Sequence, residues 1–278
     1  MPDETNWTNR PLDYEPPEID TSVPHSARVY DYILGGKDNY PPDRAAAEQM
    51  LAAWPGLQTS MRENRKFMQR ATRYLAEQGI DQFLDIGTGI PTSPNLHEVA
   101  QEIIPNAHVV YVDNDPIVLA HAGARLTGTP QGRIAYIHAD MHDPDAIFRS
   151  AELNDTLDLD RPVGLSIIAV LQFVLDDQKA YDLVKRYLQP LAPGSFLALS
   201  TVTTDSSPKP IGSVVAEYTK RGMPARNRTR DEVQPFFDGL QPVEPGVTLV
   251  HRWRPLPGTE GEVKDSDVAM YGGLARKA

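Results

Sequence analysis

The fold of this chain is decided by one ten-residue stretch, Phe83-Leu84-Asp85-Ile86-Gly87-Thr88-Gly89-Ile90-Pro91-Thr92. It has the pattern of an apolar strand that ends in a carboxylate and runs into a glycine-containing turn. Glycine at such a turn allows a tight bend and lets a ligand lie directly against the backbone, where a Cβ atom would clash. We therefore predict that a cofactor crevice is lined by Asp85, Gly87, Thr88 and Gly89.

The third glycine of a dinucleotide-binding fingerprint is absent from this stretch. In that fingerprint, Gly-x-Gly-x-x-Gly, the cofactor phosphates rest on a helix N-terminus, but position 92 is threonine and position 91 is proline. An acid beside the glycines instead favours a cofactor that carries a positive charge and no phosphate. S-adenosylmethionine, with its ammonium and sulfonium groups, is the common cofactor of that kind.

Two further strand patterns end in acids. One runs from His108 to Asp113, and the other runs from Arg133 to His138 and is followed by Asp140. The carboxyl ends of parallel strands meet at one edge of a doubly wound sheet, where a carboxylate can accept both hydroxyl groups of an adenosine ribose. We predict that Asp113 binds the ribose and that Asp140 takes the adenine amino group. The predicted cofactor residues at these two strand ends are Asp113, Asn114, Asp140 and Met141.

On these motifs the chain resembles the Rossmann-like S-adenosylmethionine-dependent methyltransferases, and more narrowly an actinobacterial family long catalogued as a domain of unknown function. The narrower resemblance rests on residues 27–40, 64–67, 83–92 and 110–116, and it covers nearly the whole chain from His25 onward. It implies a fold and a cofactor, S-adenosylmethionine. It does not supply the methyl acceptor.

The fold class that we predict is α/β, a Rossmann-like methyltransferase fold with a mostly parallel seven-stranded sheet, an antiparallel edge hairpin and an N-terminal helical cap. Strand and helix patterns alternate after residue 81, and two final strand patterns, 247–253 and 268–275, indicate the hairpin. We divide the chain into an acidic, proline-rich arm over 1–24, the helical cap over 25–80 and the methyltransferase domain over 81–278.

The segment 27–40 is interpreted as a lid over the sulfonium. Aromatic faces attract cations, and the paired glycines at 35 and 36 let the chain pass close to a ligand. Tyr30 and Gly35 are therefore predicted cofactor contacts, and Tyr32 is a catalytic candidate. The alternative is an ordinary helix with aromatic packing residues and a glycine C-cap.

Methyl transfer requires mainly that the acceptor is positioned and water excluded, and a base is needed only if the acceptor must lose a proton. Besides Tyr32, the catalytic candidates are His97 and Gln172. His97 follows the glycine turn, and its alternative is a helix-surface histidine. Gln172 follows Ala169, a predicted cofactor contact, at the exit of the fourth strand pattern. The resemblance leads us to expect histidine at that exit, and glutamine cannot act as a base.

Composition restricts the function classes. The chain has no cysteine, which excludes disulfides and sulfur-built zinc sites, and no metal site is predicted. No signal peptide is recognised, and the longest apolar run, 163–175, is too short to span a bilayer, so we expect a cytoplasmic protein without membrane contact. The net charge of -11 repels nucleic acid and favours a small-molecule substrate. The sequence allows a homodimer without setting the oligomeric state.

Two other functions stay open at this stage. A nicotinamide-dependent oxidoreductase is disfavoured by the missing third glycine. A non-catalytic S-adenosylmethionine-binding or regulatory protein is compatible with glutamine at position 172.

A basic segment over 220–230 is interpreted as a solvated loop. The alternative is a rim that attracts an acidic substrate.

Overall fold

The computed structural model describes residues 19–118 and 128–278, which build an open α/β sheet. Most of the predicted acidic arm, residues 1–18, lies outside the described residues. Within the described ranges the sheet has eight strands in the order β3-β2-β1-β4-β5-β8-β6, with β7 also paired to β8. The strands are β1 (Gln82–Ile86), β2 (His108–Asp113), β3 (Arg133–His138), β4 (Gly164–Ile168), β5 (Phe196–Val202), β6 (Gln241–Pro242), β7 (Thr248–Leu249) and β8 (Met270–Arg276).

Strands β1 to β5 pair parallel with one another, and β8 is antiparallel to β5. The α/β class and the mostly parallel Rossmann-like sheet are confirmed. Every residue of β1 is buried, because this central strand packs on both faces: Leu84 and Ile86 join one hydrophobic cluster, and Phe83 joins another. A strand buried on both faces has the continuous apolar pattern seen in the sequence.

The prediction of seven strands is wrong, since the described residues contain eight. The predicted strand over 247–253 pairs with β8 only at Thr248–Leu249, because the chain then turns into a 3-10 helix at Val250–Arg252. The additional strand, Gln241–Pro242, pairs antiparallel with Arg276 and Ala275. Two exposed residues that include a proline show no strand alternation in the sequence, so this pairing could not be predicted.

The helices pack on both sides of the sheet and over its carboxyl edge. The α-helices that lie wholly within the described residues are α1 (Ser26–Leu34), α2 (Pro41–Ala53), α3 (Leu57–Glu77), α4 (Leu96–Ile103), α5 (Pro144–Arg149), α6 (Ala151–Thr156), α7 (Asp177–Leu188), α8 (Pro208–Lys220) and α9 (Arg230–Val233). None of these combines the length and apolar character needed to cross a membrane.

Four helices, α1, α2, α3 and α8, contribute to a separate hydrophobic cluster over the carboxyl edge. Val29 of α1, Met50 of α2 and Ile211 of α8 are all buried in it. The N-terminal helices predicted as a cap therefore pack against a helix that lies about 150 residues later in the chain. The proposed division into a cap over 25–80 and a domain over 81–278 stays a prediction.

Arg28 joins the start of the described chain to the cap and the sheet. Its side chain is buried, at 3% exposure, and its guanidinium donates to the carbonyl oxygens of Asp20 and Val23 at 3.1 to 3.2 Å. Its Nε atom lies 3.7 Å from Asp43 on α2 and 3.8 Å from Asp115 after β2. One buried cation thus holds two buried carboxylates together.

We expect the substitution Arg28→Leu to lower the free energy of unfolding by about 3 kcal/mol, because removing one partner leaves buried charge uncompensated. Urea denaturation followed by circular dichroism measures this. The matched control is Arg186→Leu, which breaks an exposed pair with Asp145 and should change stability little. Equal stability losses in the two variants would contradict this role of Arg28.

Candidate active site

A cavity of about 320 Å³ lies at the carboxyl edge of the sheet, beneath α1, α3 and α8. It is lined by eleven of the fourteen residues that the sequence singled out: Tyr30, Asp85, Gly87, Thr88, Gly89, Asp113, Asn114, Asp140, Met141, Ala169 and Gln172. The strand-end acids therefore meet in one space, as expected where parallel strands end together.

The remaining three predicted residues do not line this cavity. The hydroxyl of Tyr32 donates to Glu48 on α2 at 3.1 Å. Gly35 is exposed and ends α1 in the left-handed conformation, with φ of 89°. His97 is 1% exposed, and its Nδ1 atom lies 2.8 Å from the Tyr111 hydroxyl. Burial lowers the pKa of His97, so this side chain is a neutral packing residue and not the surface histidine of the alternative interpretation.

The glycine turn is held against the end of β2. The Gly87 amide donates to the Val112 carbonyl at 2.8 Å, and the Gly89 amide donates to Asp113 Oδ2 at 2.7 Å. The other oxygen of Asp113 accepts from the Asp115 amide at 2.9 Å. Asp113 therefore fixes two loops that border the cavity, the glycine turn and the loop after β2.

Asp85 and Asp113 place two carboxylates in a poorly hydrated region. Burial raises the pKa of Asp85 to about 6, and the positive charge of Arg65 opposes this only in part. Burial also raises the pKa of Asp113. Because desolvation disfavours the charged forms, a cation that enters the cavity is stabilised by these two groups and in turn favours their ionisation.

Two residues of α3 fasten the cap to the site, and sequence analysis gave neither of them a role. Asn64 is 1% exposed and accepts from the Ser200 hydroxyl on β5 at 2.7 Å, while its amide nitrogen lies 3.4 Å from the Tyr30 hydroxyl. Arg65 donates to the carbonyl oxygens of Thr92 and Pro94 beyond the glycine turn. The only sequence signal was the resemblance over 64–67, which carried no role.

The exit of β4 is strained and tightly bonded. Ala169 has a φ of 54°, in the left-handed region that costs a non-glycine residue about 1 kcal/mol or more. Its amide donates to the carbonyl and the hydroxyl oxygens of Ser200 at 3.0 and 3.1 Å. The Gln172 side-chain amide donates to the Ala169 carbonyl at 2.5 Å. Strain of this kind is retained where the surrounding structure determines the backbone, and such places cluster at functional sites.

The chemistry of these groups fits S-adenosylmethionine. Carboxylates at the ends of β2 and β3 can accept hydroxyl and amino donors, and buried carboxylates at the glycine turn suit a cation. Apart from its chain neighbours, no atom of the described residues lies within 4 Å of a Cβ atom built on Gly89, so the turn presents bare backbone to open space in the cavity.

A family model described as S-adenosyl methyltransferase matches residues 13–278. The chain belongs to the S-adenosyl methyltransferase family. A solved DUF574 family protein from Streptomyces avermitilis is 54% identical, with 94% of this chain and 100% of that chain covered and a TM-score of 0.91. A solved Thermobifida fusca protein proposed to be a methyltransferase is 37% identical, with 95% and 99% covered and a TM-score of 0.86. No match was found among curated proteins.

The protein is thus an S-adenosylmethionine-dependent methyltransferase, and its family assignment replaces the nicotinamide-dependent alternative. The predicted family, enzyme class and cofactor are confirmed. The roles of individual residues stay predictions.

We expect the affinity of the methyltransferase for S-adenosylmethionine to rise with pH through about 6. Asp85 is protonated below that pKa, and only its ionised form stabilises a cation. At pH 5 about one molecule in ten has Asp85 ionised, so binding should be about tenfold weaker there than at pH 8. Calorimetric titrations across this range measure the effect. In the control variant Asp85→Asn the change should be much smaller, and an equally steep profile would contradict the assignment.

Proposed function

We propose that this methyltransferase transfers the methyl group of S-adenosylmethionine to a small-molecule acceptor inside the cavity. One observation carries the proposal: a single cavity is lined both by the strand-end loops and by the cap helices. The strand-end side offers the polar groups that suit the cofactor. We call the other side the acceptor compartment; it is lined by Trp54, Leu57, Met61, Ile211, Val214 and Tyr218.

On the cofactor side we assign Asp113 and Asn114 to the ribose and Asp140 and Met141 to the adenine. Asp113 already accepts two backbone N–H groups, but each carboxylate oxygen has a second lone pair for a ligand hydroxyl. Asp85 and the glycine turn face the charged end of the molecule. When bound, the cofactor supplies an electrophilic methyl group on its sulfonium.

The chain itself contributes positioning and exclusion of water. Tyr30 lines the cavity and donates to the Met61 carbonyl at 3.1 Å, and burial raises the pKa of its hydroxyl, so it stays protonated. Gln172 can accept a hydrogen bond but cannot take up a proton. These two groups can orient an acceptor that is nucleophilic in its neutral form, and held reactants gain much of their rate from orientation.

A small molecule suits this site better than a nucleic acid. The chain has a net charge of -11, which repels a polyphosphate. The cavity volume of about 320 Å³ is in the range of small-molecule pockets.

Two experiments test the proposal. In crystals grown with S-adenosylhomocysteine, the adenosine should lie at Asp113 and Asp140, and adenosine density elsewhere would refute the residue assignments. Incubation with methyl-labelled S-adenosylmethionine and either the small-molecule or the nucleic-acid fraction of a cell extract should label only the former. Label in the nucleic-acid fraction would refute the proposed substrate class.

A further inference from the structure

The acceptor compartment is walled mainly by apolar side chains of one hydrophobic cluster. Trp54 and Met61 are buried in this cluster on one side, and Ile211 and Val214 of α8 are buried in it on the other. A charge placed against such a wall without a partner loses its hydration and gains nothing in return. The wall therefore favours an uncharged occupant.

The basic side chains that line the cavity, within the described residues, are all engaged. His25 Nδ1 lies 2.9 Å from Asp115, and His142 Nδ1 lies 2.7 Å from Asp140. Arg65 donates to two backbone carbonyl groups beyond the glycine turn. No other lysine, arginine or histidine of the described ranges lines the cavity. A carboxylate or phosphate on the acceptor would therefore meet only side chains that already act on a carboxylate: His25 on Asp115, His142 on Asp140 and the charge of Arg65 on Asp85.

Arg226 and Arg228 of the basic segment over 220–230 are paired with carboxylates as well. Arg226 bridges Asp177 and Glu232 at 2.9 and 2.7 Å. Arg228 is fully buried and donates to the same Asp177 at 2.9 Å. These two charges hold the segment against α7, so neither arginine is free to attract an acidic substrate.

Gln172 and Tyr218, which both line the cavity, each have a side-chain oxygen without a hydrogen-bond partner among the described residues. The Oε1 atom of Gln172 is buried and has no hydrogen-bond partner among the described residues. Its amide nitrogen donates to the Ala169 carbonyl, which fixes the orientation of the amide because a carbonyl only accepts. The Tyr218 hydroxyl also makes no hydrogen bond within the described part of the chain. A buried hydrogen-bond acceptor such as Gln172 Oε1 destabilises the protein unless a ligand donates a hydrogen bond to it.

We infer that the methyl acceptor is an uncharged, largely apolar molecule that presents one N–H or O–H group to Gln172 Oε1. Tyr218 offers it a second hydrogen bond from α8. The specificity-determining residues are then Tyr218 of the acceptor compartment and Gln172, which lines the same cavity at the exit of β4. This inference rests on the proposed function, since it assumes that the acceptor occupies the same cavity as the cofactor.

The test uses four probes of one shape: indole, 1-methylindole, indole-3-acetate and tryptamine. Their affinities are measured by ligand-observed NMR titration on the full chain, with and without saturating S-adenosylhomocysteine. Indole is neutral and has an N–H donor, so it should bind about fivefold tighter than 1-methylindole, which lacks the donor. With S-adenosylhomocysteine bound at the strand-end acids, the anionic and cationic probes should bind at least tenfold more weakly than indole.

The variant Gln172→Met removes the Oε1 atom, which accepts the proposed hydrogen bond, and keeps the side-chain length. Indole should then bind no better than 1-methylindole, whose own affinity should stay the same. Gln178→Met, an exposed glutamine on α7 that bonds Asp182, is the matched control and should leave all four affinities unchanged. If Gln172→Met fails to fold, the order of the four probes on the unsubstituted chain still decides the claim.

With S-adenosylhomocysteine bound, binding of indole-3-acetate or tryptamine as tightly as indole would overturn the inference. Equal affinities for indole and 1-methylindole, or no binding of any probe, would overturn it as well. Failure of S-adenosylhomocysteine to bind would instead contradict the proposed function. The two failures are therefore distinguishable.

Discussion

The substitution Gly89→Ala is expected to weaken binding of S-adenosylhomocysteine more than tenfold while the protein stays folded. The residue has a φ of 68°, which costs an alanine about 1 to 2 kcal/mol. Within residues 19–118 and 128–278 its Cβ atom would meet no atom within 4 Å beyond its chain neighbours, and it would project into the cavity, where we place the cofactor. The affinity for the ligand should therefore fall by more than the backbone strain alone would cause.

Gly239→Ala is the matched control for this prediction. Gly239 has a φ of 79° and the same open surroundings, but it is exposed and does not line the cavity. In urea denaturation, Gly239→Ala should lower the free energy of unfolding by a similar amount. In calorimetry it should bind S-adenosylhomocysteine with normal affinity. An unchanged affinity in Gly89→Ala would show that the ligand does not lie against the glycine turn.

The substitution Asp113→Ala should reduce cofactor affinity at least tenfold, and by about a hundredfold if both ribose hydroxyl groups bond to it. A hydrogen bond to a charged group contributes about 1.5 to 3 kcal/mol. The same carboxylate also holds the amides of Gly89 and Asp115, so its removal loosens both loops that border the cavity.

The control for Asp113→Ala is Asp158→Ala, which removes an exposed aspartate that accepts from the Asp160 amide at 3.0 Å. That local turn resembles the one at Asp113 but lies outside the cavity lining, so cofactor affinity should not change. A folded Asp113→Ala variant with normal affinity would mean that Asp113 only stabilises the turn, and the ribose assignment would fail.

The strand-end residues could be predicted from sequence because their signals are local. Apolar runs that end in Asp85 and Asp113, next to glycines or a polar turn, specify both the strand and its carboxyl end. Parallel pairing then brings distant strand ends to one edge. Local patterns and fold rules were sufficient to place these residues at one edge of the sheet.

The prediction of Tyr30 and Tyr32 as two parts of one lid shows where local patterns fail. On an α-helix residues two apart point in directions about 200° apart, so both cannot face one cavity. Tyr30 lines the cavity and Tyr32 bonds to α2. Segment 27–40 was recognised as a unit, without regard to the helix faces.

The cap contacts could not be predicted because their partners are far apart in the chain. Asn64 and Ser200, which are hydrogen-bonded, are separated by 136 residues, and α8 completes a cap that was predicted from N-terminal helices alone. His97 was misjudged for a related reason: its partner Tyr111 lies on β2. No local pattern specifies such tertiary pairings.

The central claim is that this edge of the sheet holds S-adenosylmethionine, and one calorimetric comparison tests it most directly. The unsubstituted chain is titrated with S-adenosylmethionine, S-adenosylhomocysteine and a nicotinamide dinucleotide. We expect one site per chain for the first two ligands and no heat of binding for the third. Binding of the dinucleotide without binding of either S-adenosyl compound would contradict the account.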